Sequence, residues 1–149
     1  MVSGRRELNP MAGRFTRCSL LSLLCAVFSA FAQASEYMSP GLTPEQVLQK
    51  LGSDKPPLVV DVRNSVEYGV AHIPGAINIP LSELDKRIDE LRHENGVLIY
   101  CINGARTRQA EPIVYAAEIS DVYHLDGSFQ GWIQAKHPIE KGGVKKSGW

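Results

Sequence analysis

The sequence predicts an α/β fold with a small parallel sheet and helices on both faces. Short apolar segments rich in Val, Ile and Leu lack the alternation of a half-exposed strand, and they are typical of strands buried on both sides. Segments of helical periodicity alternate with them on short connections, which is the pattern of parallel strands joined by helices. The 149 residues accommodate one ordinary domain, and no internal repeat is visible.

The first 34 residues have the organisation of a secretory signal peptide. Arg14 and Arg17 precede an apolar stretch from Leu20 to Phe31 that is too short to span a bilayer, and Ala32-Gln33-Ala34 is a small-x-small cleavage site. We expect cleavage after Ala34, a single folded domain over residues 35–149, and periplasmic localisation without stable membrane insertion of the mature chain. An uncleaved membrane anchor is the alternative.

Removal of this leader changes the charge and the cysteine content. The mature chain keeps 12 basic and 15 acidic residues, a net charge of −3, which offers no basic surface for nucleic acid. Cys18 and Cys25 leave with the leader, so Cys101 remains alone and no intrachain disulfide forms. Four scattered histidines and one cysteine indicate no metal site, and no cofactor is predicted.

The first helix of the mature chain has a well-marked start. Thr43 is placed to cap it, Pro44 suits its first position, and Gln46 completes a capping box. The segment before it, from Ser35 to Gly41, is expected to be a flexible entry. The helix is predicted to end near Gly52. Its expected buried residues are Val47, Leu48 and Leu51.

Four strands are predicted, and the elements between them complete the α/β pattern. The strands are Leu58–Arg63, Ala76–Pro80, Gly96–Tyr100 and Val122–Leu125. Ser82 is expected to cap a helix with an inward stripe of Leu84, Ile88 and Leu91.

Two more helices are predicted after the third and fourth strands. The first presents Ala110, Ile113, Val114 and Ala117 inward, and Pro112 is expected to kink it or delay its regular start. The second is a short helix from Ser128 to Ala135.

Cys101 lies where the third strand turns into a helix. Free backbone N–H groups and the helix dipole at such a junction favour a thiolate. A thiolate at the carboxyl end of a strand in an open α/β sheet is a nucleophile at a binding crevice. Gly104 suits a tight loop that needs a position tolerant of positive φ. Together with Arg106 it favours this interpretation over that of a small buried core cysteine.

Three segments in a characteristic order resemble the rhodanese family and cover nearly all of the mature chain. The segments are Val60–Pro80, Cys101–Arg106 and Val122–Gly127. The second is a Cys-x-x-Gly-x-Arg loop, and the third is followed by Gln130-Gly131-Trp132 and Pro138. The layout is closest to exported single-domain members of the phage-shock type. The resemblance implies the rhodanese-like α/β fold and a sulfurtransferase that carries sulfane sulfur on a cysteine persulfide.

The resemblance also implies roles for individual residues. Cys101 is the catalytic nucleophile, which takes the outer sulfur of thiosulfate and passes it to a thiophilic acceptor such as cyanide or a thiol. Arg106 clamps the sulfonate of the donor. The Thr107 hydroxyl contacts the sulfur or caps the following helix. The substrate is bound by the loop after Cys101, mainly through its backbone N–H groups. The residues of this loop are Ile102, Asn103, Gly104, Ala105, Arg106 and Thr107.

Residues at neighbouring strand ends are expected to be structural. We expect Asp61 to accept loop N–H groups and Arg63 to pair with Glu67. His72 belongs to a turn that the family uses for packing, and Arg108 is expected to be solvated surface.

Several positions depart from the family pattern. Ala71 and Ser128 replace glycines, and Glu118 occupies a helix-ending position that calls for left-handed backbone. Ile102 and Asn103 replace basic residues, which weakens the attraction for an anionic donor. Persulfide chemistry is therefore better supported than thiosulfate as the best donor.

Two other function classes remain. Cell-cycle phosphatases and some arsenate reductases share this fold, but their loops place five residues between Cys and Arg where this chain has four. A carrier module that accepts sulfur from, or docks onto, a periplasmic protein partner is the other alternative. The leading hypothesis needs only a small anionic sulfur donor and a thiophilic acceptor. A dithiol mechanism is disfavoured because the mature chain lacks a resolving cysteine.

Overall fold

The computed structural model describes residues 38–142, which contain a sheet of five parallel strands in the order β1-β5-β4-β2-β3. The predicted leader lies outside the described residues. No helix within residues 38–142 is long and apolar enough to cross a membrane. The strands are β1 (Gly41–Leu42), β2 (Leu58–Asp61), β3 (Ile77–Asn78), β4 (Val97–Tyr100) and β5 (Val122–Leu125).

Four α-helices and two 3₁₀ helices connect these strands. The 3₁₀ helices, Leu81–Lys86 and Ile88–Leu91, lie between β3 and β4. The α-helices are α1 (Pro44–Leu51), α2 (Ser65–Val70), α3 (Ala105–Ala116) and α4 (Ser128–Gln134).

The core lies on both faces of the sheet, as the sequence predicts. Adjacent residues of the central strands point to opposite faces, so Val60 and Ile99 belong to one cluster while Val59 and Leu98 belong to the other. The first cluster is completed by α3 and the 3₁₀ helices, the second by α1, α2 and α4. The α/β fold with helices on both faces is therefore confirmed.

The helix predicted at Ser82 is wrong in type. The backbone forms two 3₁₀ helices that meet at Arg87, and Pro80, not Ser82, precedes the first without a side-chain cap. The Arg87 guanidinium contacts Glu83, Glu90 and the carbonyl of Asn78, so its contacts tie this break to the end of β3. The inward placement of Leu84, Ile88 and Leu91 is as predicted.

Other differences concern short elements. The segment expected to be a flexible entry contributes β1, which pairs with β5 at Gly41 and His124. Helix α2 is absent from the prediction. Leu48, expected to be buried, is 40% exposed. Helix α3 runs without interruption through Pro112.

Helix α1 begins as predicted. The Thr43 hydroxyl accepts from Gln46 N at 3.3 Å, and the Gln46 side chain accepts from Thr43 N at 2.9 Å, which completes the capping box. Glu118, beyond α3, has φ of 60°, the left-handed conformation that its position in the sequence indicates.

Replacement of Glu118 by glycine is expected to stabilise the protein. Glycine adopts this φ without a Cβ clash, so we expect a gain of about 1 kcal/mol in the free energy of unfolding. Urea denaturation measures it. Glu118→Ala is the matched control, since it removes the carboxylate but keeps the Cβ. Equal midpoints for the two variants would contradict the prediction.

Candidate active site

Cys101 lies at the carboxyl end of β4, between the two core clusters and the start of α3. Its side chain is buried, and its Sγ accepts a hydrogen bond from Gly104 N at 3.1 Å. Gly104 has φ of +88°, the left-handed conformation predicted for it, and this turn directs its N–H toward the sulfur. The loop is thus shaped around the sulfur atom.

The pKa of the Cys101 thiol lies below its ordinary value. Burial raises this pKa, but hydrogen bonds from the Thr107 hydroxyl and from the backbone N–H groups of Thr107, Asn103 and Arg106 outweigh burial. The Thr107 hydroxyl is itself buried, and no acceptor of regular hydrogen-bond geometry engages it within the described part of the chain, so it is available to the sulfur. The loop therefore stabilises a thiolate, the reactive form of cysteine.

The carbonyl groups of the loop are held from the other side by α4. Phe129 N donates to the carbonyl of Cys101 at 2.9 Å, and Gln130 N donates to that of Ile102 at 3.2 Å. Ala105 N donates to Asn103 Oδ1 at 3.2 Å, so this N–H does not serve the sulfur. Helix α4 thus satisfies the carbonyls of Cys101 and Ile102, and the other N–H groups of the loop are left for the thiolate.

Arg106 is engaged by Glu67 of α2. Its Nη1 and Nη2 atoms donate to Glu67 Oε2 and Oε1 at 2.7 and 2.8 Å. Glu67 also completes the capping box of α2 with Asn64. Arg106 is therefore held in a bidentate ion pair with Glu67. The sequence predicted that Arg106 clamps a donor and gave no indication of this pair. The Asn64-x-x-Glu67 capping pattern was the available signal for α2.

The expected pairing of Arg63 with Glu67 is wrong. Arg63 is buried and binds the carboxylate of Asp61, with Nη2 at 2.6 Å from Oδ2, and it also donates to the carbonyl of Ala71. Asp61 accepts from Arg63 N at 2.9 Å, in line with its expected structural role. Burial lowers the pKa of Arg63, but the hydrogen bond and charge of Asp61 raise it overall.

His72 has the packing role that the sequence predicts. Its ring stacks on Tyr68 with centroids 3.7 Å apart, and its Nδ1 lies 2.9 Å from the carbonyl of Tyr68. Its backbone N–H and carbonyl pair with Glu140. These contacts place His72 in the scaffold beside α2.

A cleft of about 310 Å³ opens beside the cysteine loop. It is mostly apolar, and the aliphatic side chains of Val70 and Ile133 in its wall are exposed. Of the loop residues, Ile102 reaches it. Its lining is Arg63, Glu67, Val70, Ala71, Ile102, Phe129 and Ile133.

The family model of the rhodanese-like domain matches residues 43–135. The parallel sheet, with a cysteine loop at the carboxyl end of β4 and a thiol of lowered pKa, agrees with this match. The chain belongs to the rhodanese-like domain family. The predicted fold and family are thereby confirmed.

Relatives of known sequence include sulfurtransferases. A sulfurtransferase of Allochromatium vinosum is 30% identical over 95 residues, which are 64% of this chain and 89% of the relative. A thiosulfate sulfurtransferase of Glaesserella parasuis is 26% identical over 68% of this chain and 93% of that protein. A Bacillus subtilis protein described as a candidate sulfur carrier is 33% identical over 62% of this chain. The match spans only half of that relative's length.

Solved structures share the fold. A thiosulfate sulfurtransferase from Pseudomonas aeruginosa is 28% identical with a TM-score of 0.64, over 70% of this chain and 20% of that one. A full-length protein from Lactobacillus plantarum is 25% identical with a TM-score of 0.62, over 82% of this chain and 96% of that one.

We expect Thr107→Val to raise the pKa of Cys101, because it removes the hydroxyl that stabilises the thiolate. The ultraviolet absorbance of the thiolate, followed against pH, measures the midpoint. Thr107→Ser keeps a hydroxyl and is the control. A midpoint in Thr107→Val equal to that of the natural protein would refute the role assigned to this hydroxyl.

Loss of the Glu67 charge is expected to destabilise the protein in a pH-dependent way. The pKa of Glu67 lies below its ordinary value, chiefly because Arg106 donates to it. Its contribution to stability is therefore present above the unfolded-state pKa and is lost as the pH falls through the folded-state pKa. Glu67→Gln keeps the helix cap, and we expect it to cost about 1 kcal/mol or less at pH 7.

Urea denaturation of Glu67→Gln and the natural protein, compared between neutral pH and about pH 4, tests this expectation. The difference in unfolding free energy should shrink toward acid. A double-mutant cycle with Arg106→Gln isolates the pair. A difference that is constant with pH would argue that the carboxylate charge contributes nothing.

Proposed function

We propose that this protein is a sulfurtransferase that moves sulfane sulfur from thiosulfate, or from an organic persulfide, to a thiophilic acceptor through a persulfide on Cys101. The observation that carries the proposal is the buried Cys101 sulfur, which has a lowered pKa and accepts a hydrogen bond from Gly104 N. The similarity to sulfurtransferases supports the same class of reaction.

The reaction proceeds in two displacements at sulfur. The Cys101 thiolate attacks the outer sulfur of thiosulfate, the S–S bond of the donor breaks with its electron pair on sulfite, and Cys101–S–S⁻ forms. Cyanide or a thiolate then attacks the outer sulfur of the persulfide, which releases thiocyanate or a new persulfide and regenerates the Cys101 thiolate. The loop lowers the pKa of the Cys101 thiol and so raises the fraction of thiolate, and the mechanism therefore assigns no separate base.

The N–H groups around the sulfur support both steps. They bind the negative charge of the thiolate at the start and of the persulfide afterwards, and a rigid loop needs no reorganisation between the two. Four residues separate Cys101 from Arg106, and Arg106 is turned toward Glu67. This arrangement favours transfer of a single sulfur over binding of a tetrahedral phosphoryl or arsenate group.

The apolar cleft favours a second candidate function, that of a sulfur carrier. Exposed aliphatic groups beside a reactive loop suit contact with a protein partner that delivers or receives the sulfur. In this role the Cys101 persulfide would form as above, but small acceptors such as cyanide would react slowly. Turnover with cyanide separates the two candidates.

We also propose that the protein acts in the periplasm after export. The support is the basic segment, short apolar stretch and Ala32-Gln33-Ala34 sequence near the start of the chain. An unpaired thiol in an oxidising compartment is exposed to oxidation, and a catalytic role for Cys101 accounts for its presence there.

Thiosulfate is expected to add the mass of one sulfur atom to the protein, and cyanide to remove it as thiocyanate. Intact-mass spectrometry before and after cyanide measures both steps. Cys101→Ser should abolish both while keeping the fold, as checked by circular dichroism. Continued thiocyanate production by Cys101→Ser would exclude the proposed mechanism.

The exported protein is expected to begin at Ser35. Protein recovered from the native compartment and sequenced from its N-terminus provides the measurement. Ala34→Lys, which places a large charged residue at the cleavage site, should block processing. Recovery of the uncleaved chain in the cytosol of cells expressing the natural sequence would contradict export.

A further inference from the structure

The basic residues expected to attract an anionic donor are already neutralised. Arg106 is paired with Glu67, and Arg63 is paired with Asp61. The loop positions Ile102 and Asn103 are uncharged. A sulfonate that approaches Cys101 would therefore gain little from these side chains.

Arg108, one turn into α3, lies against the loop without such a partner. Its Nη1 is 3.2 Å from the point where a Cβ would stand on Gly104. Arg108 makes no ion pair and no side-chain hydrogen bond within residues 38–142, and it is exposed to solvent. Its charge is therefore available to a ligand at the loop.

Ser128 reaches the same place from the start of α4. Its Oγ is 3.7 Å from that point on Gly104, and its hydroxyl makes no hydrogen bond in the described part of the chain. Ser128 is 2% exposed and has a φ of 52°, so its backbone is held in the left-handed conformation at the start of α4. A guanidinium and a hydroxyl thus converge above a glycine whose N–H binds the Cys101 sulfur.

We propose that Arg108 and Ser128 form the subsite that binds the oxyanion group of the sulfur donor. This proposal rests on the proposed sulfurtransferase function and names the residues that recognise the donor. The sulfonate of thiosulfate lies against Gly104, accepts hydrogen bonds from Arg108 and Ser128, and presents its outer sulfur to Cys101.

The chemistry of the donor suits this pair. A guanidinium offers planar donors to the oxygens of a sulfonate, and a charge-assisted hydrogen bond is stronger than a neutral one. When the S–S bond breaks, the electron pair moves onto the departing sulfite, so a cation at this position also stabilises the leaving group.

The test compares two donors, thiosulfate and an alkyl persulfide that carries no sulfonate, in steady-state transfer to cyanide. Arg108→Gln is expected to raise KM for thiosulfate roughly tenfold with a smaller change in kcat, as for one lost charged hydrogen bond. Its KM for the alkyl persulfide should change much less, because this donor has no sulfonate oxygens. The KM of Arg108→Lys for thiosulfate should lie between those of the natural protein and Arg108→Gln. Ser128→Ala should raise this KM less than Arg108→Gln does.

Arg92→Gln is the matched control. Arg92 is an exposed arginine that pairs with Asp89 before β4, whereas the loop follows β4, and its loss removes the same net charge. KM values for thiosulfate that rise equally in Arg92→Gln and Arg108→Gln would overturn the subsite, since the effect would be one of overall charge. An equal loss with both donors in Arg108→Gln would also overturn it, because it would indicate damage to the loop.

A binding measurement separates the subsite from the function. Titration calorimetry of thiosulfate into Cys101→Ser, with and without Arg108→Gln, should show weaker binding in the double variant. If the natural protein transfers no sulfur yet this difference is seen, the sulfurtransferase function fails and the anion subsite stands. If the natural protein uses the persulfide but Cys101→Ser binds no thiosulfate, the function stands and the subsite fails.

Discussion

The loop after β4 has to hold a negatively charged sulfur in a buried position, and much of the surrounding structure serves that requirement. A buried thiolate needs N–H or O–H donors in place of water. Gly104 supplies one by its left-handed turn, and Thr107 contributes a hydroxyl from the first turn of α3. Helix α4 binds the loop carbonyls of Cys101 and Ile102, which keeps the acceptors away from the sulfur.

Charge around this loop is arranged in pairs. The buried Asp61–Arg63 pair lies at the end of β2, and the Glu67–Arg106 pair joins α2 to the beginning of α3. The register of β2 and β4 aligns Asp61 with Tyr100, so the residues that follow both strands meet at one edge of the sheet. The carboxylates therefore orient two arginines beside the thiolate while cancelling most of their charge. Neutralised arginines preserve the shape of the loop, and recognition of an anion falls to Arg108.

The sequence predicted what depends on periodicity and local chemistry. The buried strands, the helices on both faces, the capping box at Thr43, and the left-handed Gly104 and Glu118 were all predicted correctly. These features are local, because each follows from a few neighbouring residues. The capping box of α2 was also local, but its helix has only six residues and no apolar periodicity to mark it.

Contacts between distant residues were harder to predict. Asp61 and Glu67 are both possible partners for Arg63 and Arg106, and which carboxylate each arginine binds depends on the three-dimensional arrangement of β2, α2 and α3. The 3₁₀ helices after β3 have a similar explanation: Arg87 binds the carbonyl of Asn78, a contact that no helical pattern in the segment encodes. Ser128 was recognised as a departure from the family pattern and Arg108 was expected to be solvated surface. Their approach to Gly104 depends on how α3 and α4 pack against the loop, which the sequence does not indicate.

The pairing of β1 with β5 has a consequence for the order of folding. Gly41 pairs with His124, so the sheet is completed only when residues from near both ends of the domain are present together. A chain still being synthesised therefore lacks the partner of its first strand until the last strand has emerged. Such long-range closure slows folding and postpones it to the end of synthesis. Under the export proposed above, such a delay would keep the chain in the unfolded state that passage through a narrow secretion channel requires.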